Sequence, residues 1–163
     1  MARLDLSLRK KTIASKDNLV DAKLNKAYLR GAHLEEANLK RASLKKANLR
    51  KANLRGADLS EADLTEADLS EADLSNANLS QANLSEAQFF ECNLDGVIFK
   101  NANMTNTKIN RTSFCGADLT EAQNIPVNEL NLAFINRDTK LPEYLSITWI
   151  SESNFKIEAQ KEE

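Results

Sequence analysis

The sequence predicts an all-β solenoid, a chain wound in stacked coils around a narrow apolar interior. Two interlocked periodicities carry that prediction. From Leu19 to Leu119 a large apolar residue falls at every fifth position, giving 21 successive centres: 16 Leu, three Phe (Phe89, Phe99, Phe114), Met104 and Ile109. Three residues after each centre, from Ala22 to Ala122, stands a small residue, Ala in 17 of 21 cases and otherwise Cys92, Val97, Thr107 or Thr112. On an α-helix a five-residue beat would spiral the Leu side chains around the cylinder and leave no apolar stripe. On an unbroken strand it would alternate them between faces. Within one unit, however, Ala and the following Leu are two residues apart. They share a face of a short extended segment, and the other three residues are free to turn a corner. Such a unit cannot bury its apolar pair alone, so coils must stack, about 4.8 Å apart at the strand-pairing distance.

The unit is plainest in Ala57-Asp58-Leu59-Ser60-Glu61-Ala62-Asp63-Leu64-Thr65-Glu66, and the residue before the centre is Asp or Asn in 13 of 21 cases. These residues resemble the pentapeptide-repeat family, whose consensus is close to Ala-(Asp/Asn)-Leu-x-x. The resemblance covers about two-thirds of the chain. It implies a right-handed quadrilateral β-helix with four pentapeptides per coil, hence about five coils here. The spacing by itself leaves the number of sides open.

The elements follow in order. Residues 1–16 alternate Leu4, Leu6 and Leu8 and then turn basic, which predicts an N-terminal cap. Residues 17–123 are the repeat. Gly31, Gly56, Gly96 and Gly116 all stand two residues after a centre, at a corner where a positive φ is expected. Residues 124–157 lose the beat and predict a C-terminal cap. Pro126 opens a short helical pattern with Val127, Leu130 and Phe134 on one face, followed by Leu141, Tyr144, Leu145 and Trp149. The run Thr139-Lys140-Leu141-Pro142-Glu143-Tyr144-Leu145 resembles a C-terminal element found in some bacterial members of the family. Residues 158–163 are expected to be a disordered tail. The cap would cover the open end of the last coil and favour a monomer, the other option being a homodimer through this region.

Charge is sorted along the repeat. Residues 37–56 carry seven bases and no acid, and residues 57–76 carry seven acids and no base. Twenty residues apart, Arg41 would stand over Glu61, Lys46 over Glu66 and Lys51 over Glu71, so the belts can pair within one molecule and fix the stacking order. Read as surfaces, the same belts could meet oppositely charged partners. Phe90 interrupts a polar corner series of Arg30, Arg50, Ser70 and Asn110, and Tyr28, Ile98 and Val20 are further apolar residues at outward positions. Candidate interaction residues are therefore Arg41, Lys46, Lys51, Glu61, Glu66, Glu71 and Phe90.

No catalytic, cofactor or metal site is expected. The one His, His33, stands outward with no Cys or second His beside it, no glycine-rich phosphate loop or nucleophile elbow occurs, and inward Ala leaves no room for a pocket. Two Cys, one inward and one at a corner, predict no disulfide. With no 18-residue apolar run and no signal-peptide pattern at its start, the chain is expected in the cytoplasm and off the membrane. The reading is a non-enzymatic scaffold that works through protein–protein contact. One alternative comes from the resemblance, since some members mimic duplex DNA and bind type II topoisomerases. Those are longer, strongly acidic rods, whereas this chain has a basic N-terminal third. A second alternative is nucleic-acid binding through the basic belt 40–55, which lacks interleaved aromatics.

Overall fold

A computed structural model describes residues 18–160; the expected N-terminal cap over 1–16 lies outside the described residues. Parallel single-residue bridges join Asn18 to Asn38, Lys23 to Ser43, Tyr28 to Asn48 and His33 to Asn53, and the same 20-residue offset continues up to the pair Asn103 and Gln123. One turn of chain thus takes 20 residues, or four pentapeptides, each contributing one short side. Each side is held by two backbone bonds. Leu39 donates forward to the Asp58 carbonyl at 2.7 Å, and Asp58 donates back to the Ala37 carbonyl at 2.9 Å.

The corners are tight turns of one kind. Ala62 N–H donates to the Leu59 carbonyl at 3.1 Å, and of the two residues between them, Ser60 and Glu61, the second has φ 60°. All 21 positions two residues after a centre have φ between 55° and 69°, and only four of them are Gly. The expectation that the glycines mark positive φ holds, but it understates the pattern. Glu, Lys, Arg, Gln and Asn accept the same left-handed conformation at a cost of roughly 1–3 kcal/mol each. From Asp21 to Gly96 the ladder holds it, because each such residue also donates to the next rung, as Glu61 does to the Ser80 carbonyl at 2.9 Å.

The inward assignment is direct. Every centre from Leu24 to Leu119 and nearly every small residue between them is buried. The four exceptions to Ala face inward as well. Cys92 donates its thiol to the Leu69 carbonyl at 2.7 Å, Thr107 its hydroxyl to the Met104 carbonyl at 3.0 Å, and Thr112 its hydroxyl to the Phe89 carbonyl. Burial pushes the Cys92 thiol up to about 12. Cys92 and Cys115 are both free.

The last regular rung is closed by the segment that follows it, and each of its four centres finds an acceptor. Met104 donates to the Gln123 carbonyl, Phe114 to the Phe134 carbonyl and Leu119 to the Lys140 carbonyl, at 2.7–2.9 Å. On the remaining side α1, Val127–Leu130, departs from the ladder, and the Glu129 carboxylate takes the place of a backbone carbonyl, accepting from Ile109 N–H at 2.8 Å. Removing that carboxylate leaves a half-buried backbone donor unpaired. Glu129→Ala is therefore expected to cost about 1–3 kcal/mol, and Glu129→Gln, which keeps an acceptor oxygen, much less. Urea melts of the two variants check this.

Three expectations for the C-terminal segment need correction. The helical pattern ends at Leu130, so Phe134 is not on the face of Leu130; it lies in an extended stretch bridging Ser113, with Ala133 and Ile135 buried on either side and its own ring 61% exposed. The region after Leu145 forms an antiparallel hairpin of β1, Leu145–Trp149, and β2, Phe155–Ala159, which the pattern did not announce. Glu158 and Ala159, assigned to a tail, are the end of β2, held by pairing with Leu145 and Ser146. Asn131 clamps the hairpin to α1, its amide oxygen accepting from Ile157 N–H at 2.7 Å and its amide nitrogen donating to the Ile157 carbonyl at 2.9 Å. Trp149 packs edge-on to Phe155 and lies under the Arg137 guanidinium. Among the described residues no helix is long and apolar enough to cross a membrane.

Candidate interaction surface

The outward positions divide into those spent on the fold and those left over. The Asp and Asn before each centre belong to the first group. In all 13 cases, from Asn18 to Asp118, the side-chain oxygen accepts the backbone N–H two residues on, at 3.0–3.2 Å. This is an Asx turn, which satisfies a corner donor that the ladder leaves open. Where Ser occupies the position, the rung before supplies the oxygen. Asn25 accepts from Ser43 Oγ and Lys45 N–H, and Asp95 accepts from Ser113 Oγ and Cys115 N–H. The carboxylates of Asp58, Asp63, Asp68 and Asp73 are thus turn acceptors first and surface charge second.

The two belts meet on adjacent rungs. Lys46 pairs with Glu66 and Lys51 with Glu71, each at 3.0 Å, as their spacing predicts. Arg41 does not pair with Glu61. Its guanidinium forks onto both Asp21 oxygens at 2.8 Å, and Glu61 is taken by Lys40 at 2.9 Å. Arg41 stands between an acid on either side, and the bidentate fork to Asp21 is the better geometry. That pairing holds Asp21 below and Arg41 above their ordinary ranges. Hydrogen bonding from Lys51, helped by the Lys51 and Arg50 charges, lowers Glu71 against the effect of burial.

Because Glu71 is lowered in the folded state, its contribution to stability is present above the ordinary glutamate range and is lost as pH falls through the folded value. Melting temperature is expected to drop on acidification into that range, and less steeply in Glu71→Gln. The belts also yield a cleaner reversal than changing whole coils, which would destroy the Asx turns. Changing only Glu61, Glu66 and Glu71 to Lys should destabilise the rod by up to about 1 kcal/mol per pair, and adding Lys40, Lys46 and Lys51 to Glu should restore most of that, read by thermal melts at low salt.

The leftover group is small. Phe90 is 42% exposed, Tyr28 74% and Ile98 40%, while Val20 is half-buried. Ser70, expected outward and open, is 3% exposed. It lies on the rung between those of Arg50 and Phe90, and Ser60, at the same point of another repeat, is likewise only 8% exposed. His33 is exposed, its Nδ1 3.5 Å from Glu35 Oε1. Sequence reasoning missed the Asx turns and the Glu129 cap. The first was signalled by the 13 Asp or Asn residues themselves; the second had no signal beyond Glu129 lying 20 residues after Ile109.

A family model described as pentapeptide repeats matches the chain in 8 copies, over residues 18–56, 42–81, 57–96 and 82–120. Among solved structures, the chain is similar to HetL, a pentapeptide repeat protein involved in heterocyst differentiation regulation from the cyanobacterium Nostoc sp. strain PCC 7120, at 30% identity over 76% of this chain and 56% of that one, with TM-score 0.42. A second Nostoc PCC 7120 pentapeptide repeat protein is 31% identical over 65% of this chain and 74% of that one, with TM-score 0.49. Rfr23 from the cyanobacterium Cyanothece 51142 is 33% identical over 66% of this chain and 65% of that one, with TM-score 0.42. The chain thus spans just over half the length of HetL. No curated protein shows significant similarity to the sequence.

Proposed function

The chain belongs to the pentapeptide-repeat family, and on that premise we propose that it is a non-enzymatic contact module. Its repeat is a right-handed quadrilateral β-helix of about five coils, the hand and the four-walled section being the family's and the coil count following from the 20-residue offset. It acts in the cytoplasm through protein–protein contact on its outer walls.

The observation that carries this reading is how few apolar groups on the walls of the repeat are left uncommitted. Among the described residues the interior of the coils is filled by Leu, Phe and Ala, which leaves no internal pocket there for a substrate. The recurrent carboxylates are turn acceptors, and most of the belt charges pair between rungs. What the fold does not use is a set of exposed groups on flat walls, chiefly Tyr28 and Phe90. The basic belt 40–55 is a weaker nucleic-acid site than its composition suggests, because Lys40, Arg41, Lys46, Arg50 and Lys51 are already engaged with acids. The same neutralisation weakens a duplex-DNA mimic reading.

The test is affinity capture from an extract of the native cell, with the wild-type chain against a Tyr28→Ser, Phe90→Ser variant of matched stability. A partner retained by the wild type and lost by the variant is expected. Equal capture by both would remove the outer-wall reading.

A further inference from the structure

We propose that the wall carrying Tyr28 and Phe90 is a self-association surface, on which two copies of this chain pack antiparallel about a two-fold axis. The inference deepens the contact-module reading and rests on it by naming a partner, a second copy.

On this wall four successive rungs, 26–31, 46–51, 66–71 and 86–91, are bridged in register at Tyr28, Asn48, Asp68 and Gln88, and a fifth, 106–111, continues the column through the bridge from Gln88 to Lys108. Its charge reverses halfway. The first two rungs carry Lys26, Arg30, Lys46, Arg50 and Lys51; the next two carry Glu66, Asp68, Glu71, Glu86 and Glu91. Within the molecule the second rung pairs with the third, and Glu91 pairs with Arg111 on the rung beyond. Lys26, Arg30 and Glu86 are in no ion pair among the described residues, although all three are exposed. The uncommitted charges therefore lie on the first and fourth of these rungs and have opposite sign, and each of those two rungs also carries an exposed aromatic residue.

A two-fold axis lying in the contact plane, perpendicular to the rod and level with the gap between the second and third rungs, has a definite consequence. It leaves each column of side chains facing the same column of the copy and reverses the order of rungs. Lys26 then faces Glu86 of the second copy, and Arg30 faces its Phe90, a guanidinium over an aromatic face. Tyr28 meets Gln88. On the inner rungs Lys46 faces Glu66 and Lys51 faces Glu71. Within these four rungs no like charges oppose one another, and the two-fold makes every contact twice, as an isologous interface requires. The wall that follows lacks this property: the same operation would set Glu35 against Asp95.

Area limits the strength. Four rungs of one flat wall offer on the order of 300 Å² per copy, against roughly 800 Å² for a standard stable interface. The dimer is thus reversible and salt-sensitive, formed at high concentration and dispersed as screening rises.

A charge swap tests this, because Lys and Glu both already occur in the column of residues 26, 46, 66 and 86 and share its φ of 57–61°. Sedimentation velocity over a concentration series is run on the full chain, Lys26→Glu, Glu86→Lys and the double variant, with melting temperature recorded for each. Self-association at low salt is expected for the wild type. It should weaken by about tenfold or more in each single variant, where like charges now face one another, and return in the double variant, whose net charge equals that of the wild type. Melting temperatures should stay close throughout. A wild type that is monomeric at every concentration, a single variant that associates normally, or a double variant that fails to recover would each overturn the proposal. The capture assay with an extract reads contacts with other proteins and so fails or succeeds separately.

Discussion

Ala67→Leu is expected to destabilise the rod by about 1–3 kcal/mol or more, enough to deplete the folded form at physiological temperature. Ala67 is fully buried, with Leu64 and Leu69 equally buried on either side. Facing walls share the interior at crystal-like density, so three added carbons must displace neighbours that are themselves fixed by the ladder. The matched control is Lys100→Leu, at an exposed outward corner and in no ion pair among the described residues, which should change stability by less than about 0.5 kcal/mol. Ser70, the more obvious outward control from the sequence, is unsuitable because it is buried. Denaturant melts of both variants decide the matter; equal losses would contradict the inward assignment of the Ala column.

The second large effect concerns the end of the rod. Truncation after Ile125 removes the Glu129 carboxylate, the Phe134 and Lys140 carbonyls and the Tyr144 hydroxyl, which donates to the Ala122 carbonyl at 3.0 Å. It leaves the backbone donors of Ile109, Phe114 and Leu119 unpaired, three of the rung's four centres, while Met104 keeps the Gln123 carbonyl, and it uncovers the Phe114 and Leu119 side chains. An open strand edge over an apolar interior templates further pairing. The truncated chain is expected to form large species that salt does not disperse, which separates them from the charge-dependent pairing proposed for the wall. Light scattering on both forms at high salt reads the difference. A truncated chain that stays small and melts like the full one would show that the segment is no cap.

The repeat was legible because its signal is redundant. Twenty-one centres and as many small partners leave little freedom in which residues face inward, and the rungs then follow from pairing. The number of residues per turn was not legible from spacing; it became visible only in the 20-residue bridges. The C-terminal segment was half legible. Its apolar residues marked it as a cover, but a single occurrence carries no periodicity, so the register of Phe134 and the β1–β2 hairpin stayed hidden. Among the belt charges, Lys46 with Glu66 and Lys51 with Glu71 follow from register alone. Arg41 did not, because a base with an acid on both adjacent rungs is settled by fork geometry. Outward polar residues were the least legible group. Asp58 reads as surface charge, yet its main partner is the Ser60 backbone N–H.

The 20-residue turn underlies the rung pairings, the wall and the cap, and cysteine cross-linking measures it most directly. With Cys92 and Cys115 replaced by Ala and Ser, a pair of Cys at Lys45 and Thr65 would stand outward on adjacent rungs, where the ladder spacing of about 4.8 Å falls within the range that a disulfide spans. Pairs at Lys45 with Ser60 and Lys45 with Ser70 have offsets of 15 and 25 residues and would lie around a corner from each other. Mild oxidation at low protein concentration should close the 45–65 pair rapidly and within one molecule, and leave the other two open. Closure of the 15- or 25-residue pair in preference to the 20-residue pair would contradict the four-sided turn and everything built on it.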